Sequence, residues 1–93
     1  MSDACVYMLR CRDGSLYTGW TNDLERRFAK HARGKASRYT ASRLPVELAA
    51  VWLMPNRGAA MREEARIKRL SRPQKLALLE GEDAQAPLPA VAG

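Results

Sequence analysis

Residues 6–31 read VYMLRCRDGSLYTGWTNDLERRFAKH, and the way this stretch pairs with itself decides the fold. Cys5 to Cys11 is an apolar run with one arginine near its end, and Leu16 to Trp20 is aromatic and β-branched. Asp13-Gly14 between them is a strong hairpin signal. A two-residue loop at Asp13-Gly14 would pair Tyr7 with Trp20 and send Tyr7 and Tyr17 to opposite faces. A three-residue loop, Arg12-Asp13-Gly14 with Gly14 left-handed in a G1 bulge, pairs Cys11 with Ser15 and Tyr7 with Gly19. The second is preferred. Gly19 opposite Tyr7 leaves space beside two phenols on one face, and a glycine inside a strand marks close backbone approach.

A helix follows. Asn22 with Glu25 three residues on makes a capping-box pattern, and Gly34 marks the end. At 100° per residue Leu24, Phe28 and Ala32 form its apolar stripe, with Arg27 and His31 along the border, turned toward the sheet. Two tyrosines, a glycine, an arginine and the chain's single histidine thereby converge. After Gly34 periodicity is lost until Pro45. Val46 to Met54 then reads as a third strand with Val46, Leu48, Ala50 and Trp52 on one face. Pro55 to Gly58 reads as a loop and Ala59 to Leu70 as a helix. A last helix begins at Ser71, where Ser71 and Gln74 make a capping box around Pro73, and stops at Gly81.

The order β-β-α-β-α-α predicts one α+β domain over residues 1–80, followed by an Ala- and Pro-rich disordered tail over 81–93. No apolar run is long enough to span a membrane, and Met1 to Ala4 is too short and polar for a signal peptide. Cys5 and Cys11 lie about 20 Å apart on one strand, at ~3.3 Å per residue, too far for a disulfide. They are expected as buried free thiols, which suits a reducing cytoplasm. One histidine and no Cys-x-x-Cys argue against structural zinc.

Charge is uneven. Sixteen Lys and Arg against ten Asp and Glu give +6. Between Arg26 and Arg43 stand Arg26, Arg27, Lys30, Arg33, Lys35, Arg38 and Arg43 with no acidic residue. Such a segment is an electrostatic footprint for a polyanion met through its charged backbone. Tyr39 and Thr40 interrupt it, offering a stacking ring and a hydroxyl for phosphate contact.

Val-Tyr, then Tyr-Thr-Gly ten residues later, then Arg-Arg-Phe-x-x-His resemble the GIY-YIG nuclease superfamily, and in particular its small single-domain members. The resemblance runs from Val6 to about Leu79 and is similar to the N-terminal nuclease domain of the excinuclease C subunit. Here the first signature triplet is Cys5-Val6-Tyr7 and the second Tyr17-Thr18-Gly19, so both keep their tyrosine and the second its glycine. The resemblance implies a small three-stranded antiparallel sheet flanked by helices, and a metal-dependent endonuclease acting on DNA in repair or at branches. It also implies catalytic roles for Tyr7, Tyr17, Gly19, Arg27, His31 and Glu64. Glu63 and Glu64 both flank the apolar side of their helix, so the wheel does not choose between them. The family's Ala-Leu-x-x-Glu pattern, laid on Ala60-Met61-Arg62-Glu63-Glu64, implies Glu64 as ligand of one Mg²⁺ or Mn²⁺. Without that role Glu64 would be an exposed ion pair with Lys68.

In this reading Arg27 stabilises charge on the phosphate, and Gly19 lets the phosphate approach the strand. Either Tyr17 or His31 serves as base for the attacking water, with Tyr7 helping to hold it. Two alternatives stay open: a DNA-binding module that keeps the fold without the chemistry, and an adaptor whose protein partner supplies specificity.

Overall fold

The structure, a computed structural model, describes residues 4–80. The tail expected over 81–93 lies outside the described residues. Strands β1 (Cys5–Cys11) and β2 (Leu16–Thr21) form the hairpin with Gly14 at φ 87°, Cys11 N–H donating to Ser15 O at 2.9 Å and Tyr7 opposite Gly19. Asp13 shapes the turn by accepting from the Ser15 amide at 3.0 Å and its hydroxyl at 2.6 Å. Helices α1 (Leu24–Ala32) and α2 (Arg38–Ala41) precede strand β3 (Val46–Leu53), and α3 (Arg57–Lys68) and α4 (Arg72–Leu79) close the chain. The sheet is antiparallel in the order β2-β1-β3, so β1 is central and the fold is α+β.

The strand faces sort the helices. Val6 and Met8 point to one side of β1, where Ala50, Trp52, Ala60, Ile67 and Leu78 join them in the larger core beneath α3 and α4. Ile67 is 1% exposed, and burying such a side chain contributes about 1.5–3 kcal/mol. Cys5, Tyr7 and Leu9 point to the other side and pack with Val51, Leu24 and Phe28 of the α1 layer. Both cysteines are free and buried. Among the described residues no helix is long and apolar enough to cross a membrane.

Several local expectations are corrected. Met8 pairs with Ala50 but Leu9 with Leu48, so Ala49 is an extra, bulged residue. The bulge reverses the alternation: Val46 and Leu48 pack with Tyr7, whereas Ala50 and Trp52 pack with Val6. Asp23, not Asn22, caps α1, its carboxylate accepting from Arg26 N at 3.3 Å, which places Glu25 too early for a capping box. The end of α1 is a Schellman turn, with Lys35 N bonding Lys30 O and Gly34 N bonding His31 O at 2.9 Å each and Gly34 at φ 74°. Asn56 caps α3 through Ala59 N at 2.8 Å, so the helix starts at Arg57 inside the expected loop. The Ser71–Gln74 capping box of α4 forms in both directions. Helix α2, capped by Ser37, has no counterpart in the expected order; four residues are too few to show a period.

Candidate active site

The hairpin register puts both phenols on the α1 side of the sheet, ring centroids 6.5 Å apart. With Gly19, Trp20, Thr21, Asn22, Arg27 and Glu64 they line one polar hollow. Arg27 reaches it from α1. Glu64 comes from α3, which lies under the opposite face but packs against β2. Because β2 is an outer strand, the carboxylate arrives around the sheet's edge at the level of Gly19 to Asn22.

The two glutamates part company. Glu63 is held two-pronged by Arg66, at 3.0 Å to Nε and 2.6 Å to Nη2, which keeps its carboxyl below the usual range. Glu64 lines the hollow and also pairs with Lys68 at 3.2 Å. This pair joins an exposed lysine to a carboxylate only 21% exposed and leaves carboxylate lone pairs free.

His31 is not at a border. It is 1% exposed and enclosed by Tyr7 and Tyr17, with both ring nitrogens engaged: Nε2 with the Tyr7 hydroxyl at 2.9 Å and Nδ1 with Thr40 Oγ1 at 2.8 Å. The inward centre of α1 therefore runs through Leu24, Phe28 and His31, and Ala32 is exposed. Of the two bases left open by the sequence, Tyr17 lines the hollow and His31 does not. Burial and then the neighbouring Arg27 charge push the imidazole below its ordinary value. Burial lifts Tyr7 to about 12, against the opposing hydrogen bond and charge of Arg27. Both groups are thus neutral at pH 7.

Gly19 has a different use from the expected one. A Cβ there would sit 2.6 Å from the Tyr7 hydroxyl and 2.8 Å from Cζ. The space beside the strand is filled by the phenol.

The cationic segment divides. Arg26 and Lys30 are exposed and, with Arg27, line a groove running on from the hollow over Thr21, Asn22 and Asp23. Arg33, Lys35 and Arg38 are exposed farther along, the last two beside a shallow groove with Gly34 and Ser37. Thr40 leaves the expected DNA-contact set, and Arg43, its side chain 33% exposed, is already engaged by other residues. Thr40 is 0% exposed with its hydroxyl on His31. Arg43 is bound to Asp13 at 3.1 Å, to Tyr39 O at 3.0 Å, and lies 3.9 Å over the Tyr39 ring. Tyr39, 38% exposed, lies under Arg43 on one face with the Tyr17 ring 5.9 Å away. Sequence patterning marked these residues as polar and basic but had no signal for the inward turn that Ser37 starts.

A profile described as the GIY-YIG catalytic domain matches residues 3–77. This chain belongs to that family. Among its relatives, the UPF0213 protein BH0048 of Halalkalibacterium halodurans is 51% identical over 70 residues, covering 75% of this chain and 74% of that protein. The UPF0213 protein OB0043 of Oceanobacillus iheyensis is 53% identical over 75 residues, covering 81% and 87%. The solution NMR structure of BH0048 superposes with a TM-score of 0.58 at 44% identity, over 89% of this chain and 88% of that one. The solution NMR structure of EF2693 from E. faecalis gives 0.58 at 30% identity, over 95% and 94%. GIY-YIG membership implies endonuclease-type chemistry. In this member the tyrosines of both signature triplets face the hollow, and Cys5 and Val6 of the first lie in the two cores.

Burial of the GIY-YIG histidine carries a pH signature. A lowered folded-state value means the unfolded chain binds more protons just below the ordinary histidine value, so stability falls as pH drops below about 6.5 and is complete above it. Urea unfolding at pH 7.5, 6.5 and 5.5 should show this loss, and His31→Gln should flatten it. Asp13 and Glu63, held low by Ser15 and by Arg66, add their own loss only at more acidic pH. Parallel curves for the two proteins would remove the assignment.

Proposed function

We propose that this chain is a metal-dependent endonuclease that hydrolyses DNA phosphodiester bonds, serving DNA repair or the processing of branched DNA in the cytoplasm. The observation that carries the reading is the single hollow lined by Tyr7, Tyr17, Arg27 and Glu64 and continued by Arg26 and Lys30.

The donor set decides which cation suits it. Among the described residues no three His, Cys, Asp or Glu gather, and Glu64 is the one carboxylate lining the hollow. That fits Mg²⁺ or Mn²⁺, hard ions that keep most of their water shell and accept one or two carboxylates plus phosphate oxygen. Glu64 would hold the ion, which would supply positive charge against the scissile phosphate. Arg27 offers a planar fork to the phosphate oxygens as negative charge grows on them. Tyr17, on the same face, orients the attacking water.

Tyr7 and His31 remove the proton together. A phenol near 12 is a poor base alone, and His31 stands behind Tyr7 without lining the hollow. The Tyr7 oxygen takes the water's proton while its own passes to His31 Nε2, leaving imidazolium and a neutral phenol; the water oxygen bonds phosphorus as the P–O bond to the departing deoxyribose oxygen breaks, and that oxygen takes a proton from solvent.

The test is incubation with linear, branched and single-stranded DNA in Mg²⁺, Mn²⁺ or EDTA. Metal-dependent nicks are expected. Mobility shifts without nicks would replace the enzyme with a DNA-binding module, and neither result would favour an adaptor whose partner protein supplies specificity.

Binding should also follow salt. With five exposed cations on phosphates, affinity falls several hundred-fold from about 50 to about 200 mM salt, at a slope of about −0.9 per phosphate. Replacing Arg26 and Lys30 by alanine should reduce the slope by about 2. Arg43→Ala should leave it unchanged, because that guanidinium is held by the Asp13 carboxylate and the Tyr39 carbonyl. Equal slopes for all three proteins would place the DNA elsewhere.

A further inference from the structure

The buried polar chain behind the hollow has a direction that follows from its two ends. At the inner end Thr40 Oγ1 lies 3.4 Å from Ser37 O, a carbonyl that can only accept, and 3.3 Å from Ser37 Oγ, which can also accept, so the Thr40 proton has acceptors in Ser37. Its oxygen is then the acceptor for His31 Nδ1–H at 2.8 Å. At the outer end Arg27, which can only donate, lines the hollow beside Tyr7 and so favours the lone pairs of the Tyr7 oxygen, not its proton, on that side. The Tyr7 proton is thereby left for His31 Nε2 at 2.9 Å. Both ends favour donation the same way, from Tyr7 to His31 to Thr40 to Ser37.

We propose that Thr40 is a positioning residue for hydrolysis: by accepting from Nδ1 it holds His31 in the tautomer whose Nε2 is free to receive the Tyr7 proton. This rests on the nuclease reading above. In the other tautomer Nε2 carries hydrogen, and the phenol has nowhere to send its own. Thr40 can do this because it is placed rigidly. It is 0% exposed, and its amide bonds Ser37 Oγ at 3.2 Å at the start of α2. The following turn is tied to the hairpin tip by Arg43–Asp13 and by Arg12 N–H to Arg43 O at 3.0 Å. The strands that carry Tyr7 and the turn that carries Thr40 are thus held in one frame.

The chain has a single histidine, so long-range ¹H–¹⁵N spectra of the ¹⁵N-labelled protein report one imidazole and read its tautomer without activity. The wild type should show the Nδ1–H form at neutral pH. Thr40→Val, which keeps the shape and loses the acceptor, should lose that form and cut DNA 10- to 100-fold more slowly, the usual effect of removing such a support. Thr40→Ser keeps the oxygen and should restore both the tautomer and the rate. An Nε2–H wild type overturns the proposal outright, whatever Thr40→Val does to folding. A Thr40→Val protein that retains the wild-type tautomer while cutting slowly also overturns it, since its role is then packing alone. Absence of cutting by the wild type, with the Nδ1–H form present and lost in Thr40→Val, would instead sink the nuclease reading and leave the Thr40–His31 link standing.

Discussion

Glu64→Gln and Arg27→Ala are each expected to slow Mg²⁺-dependent cutting by on the order of 10² to 10³ or more, the range seen when one group that meets developing charge is removed. The fold should survive both. Glutamine keeps the volume of Glu64 and gives up only the ion pair with Lys68, whose own side chain is solvent-exposed. Arg27 is partly buried but lies outside both cores. Binding should persist as well, because Arg26, Lys30, Arg33, Lys35 and Arg38 remain. Lys68→Ala is the control: it removes the ion pair and leaves the carboxylate, so cutting should stay at the wild-type rate. Thermal midpoints, filter binding and nick rates on one plasmid distinguish these effects. Wild-type cutting by Glu64→Gln would strike Glu64 from the site.

Gly19→Ala is expected to cost about 1–3 kcal/mol of stability, the range for overpacking a filled interior, and to suppress cutting as well. The new methyl would meet Tyr7 at 2.6 and 2.8 Å and Tyr17 Cε2 at 3.3 Å. Tyr7 cannot swing clear, being 1% exposed and bonded to His31. Either the phenol leaves His31 or β2 moves away from β1, and each outcome disrupts the hollow. The backbone is not the obstacle, since Gly19 is not among the glycines with positive φ. Because the nearest atom is the Tyr7 hydroxyl, the penalty should shrink in a Tyr7→Phe background, a coupling that a double-mutant cycle in urea measures. Purely additive effects would show that Gly19 is required for some other reason.

The parts of this molecule that were legible in its sequence are those set by neighbours in the chain. Asp13-Gly14 with Ser15 beyond fixes a three-residue loop, and that loop fixes which residues oppose Tyr7 and Tyr17. The Ser71 capping box is likewise local. What escaped depends on packing between distant segments. The Ala49 bulge answers the shape of β1, and no pattern within Val46 to Leu53 announces it. His31 falls between the core and the rim on a helical wheel; only the space under Tyr7 and the hydroxyl of Thr40 draw it fully inside. Composition cannot separate Arg43, folded onto Asp13 and Tyr39, from Arg26, left in solvent. Asn22 and Asp23 are both competent caps, and the choice of Asp23 goes with its own amide bonding Thr21 Oγ1 at 3.0 Å. Glu63 and Glu64 differ by 100° on the wheel, and the wrap of α3 around the outer strand selects the second.

The two thiols sit on the central strand, buried at 3% and 4% exposure, and burial also raises the Cys5 thiol above its usual value. A thiol alkylating agent therefore meets them only when that strand parts from its neighbours. Labelling of the native protein consequently serves as an intrinsic clock for the opening of the sheet, and a substitution that loosens the Tyr7 face will make that clock run faster before any loss of secondary structure can be seen.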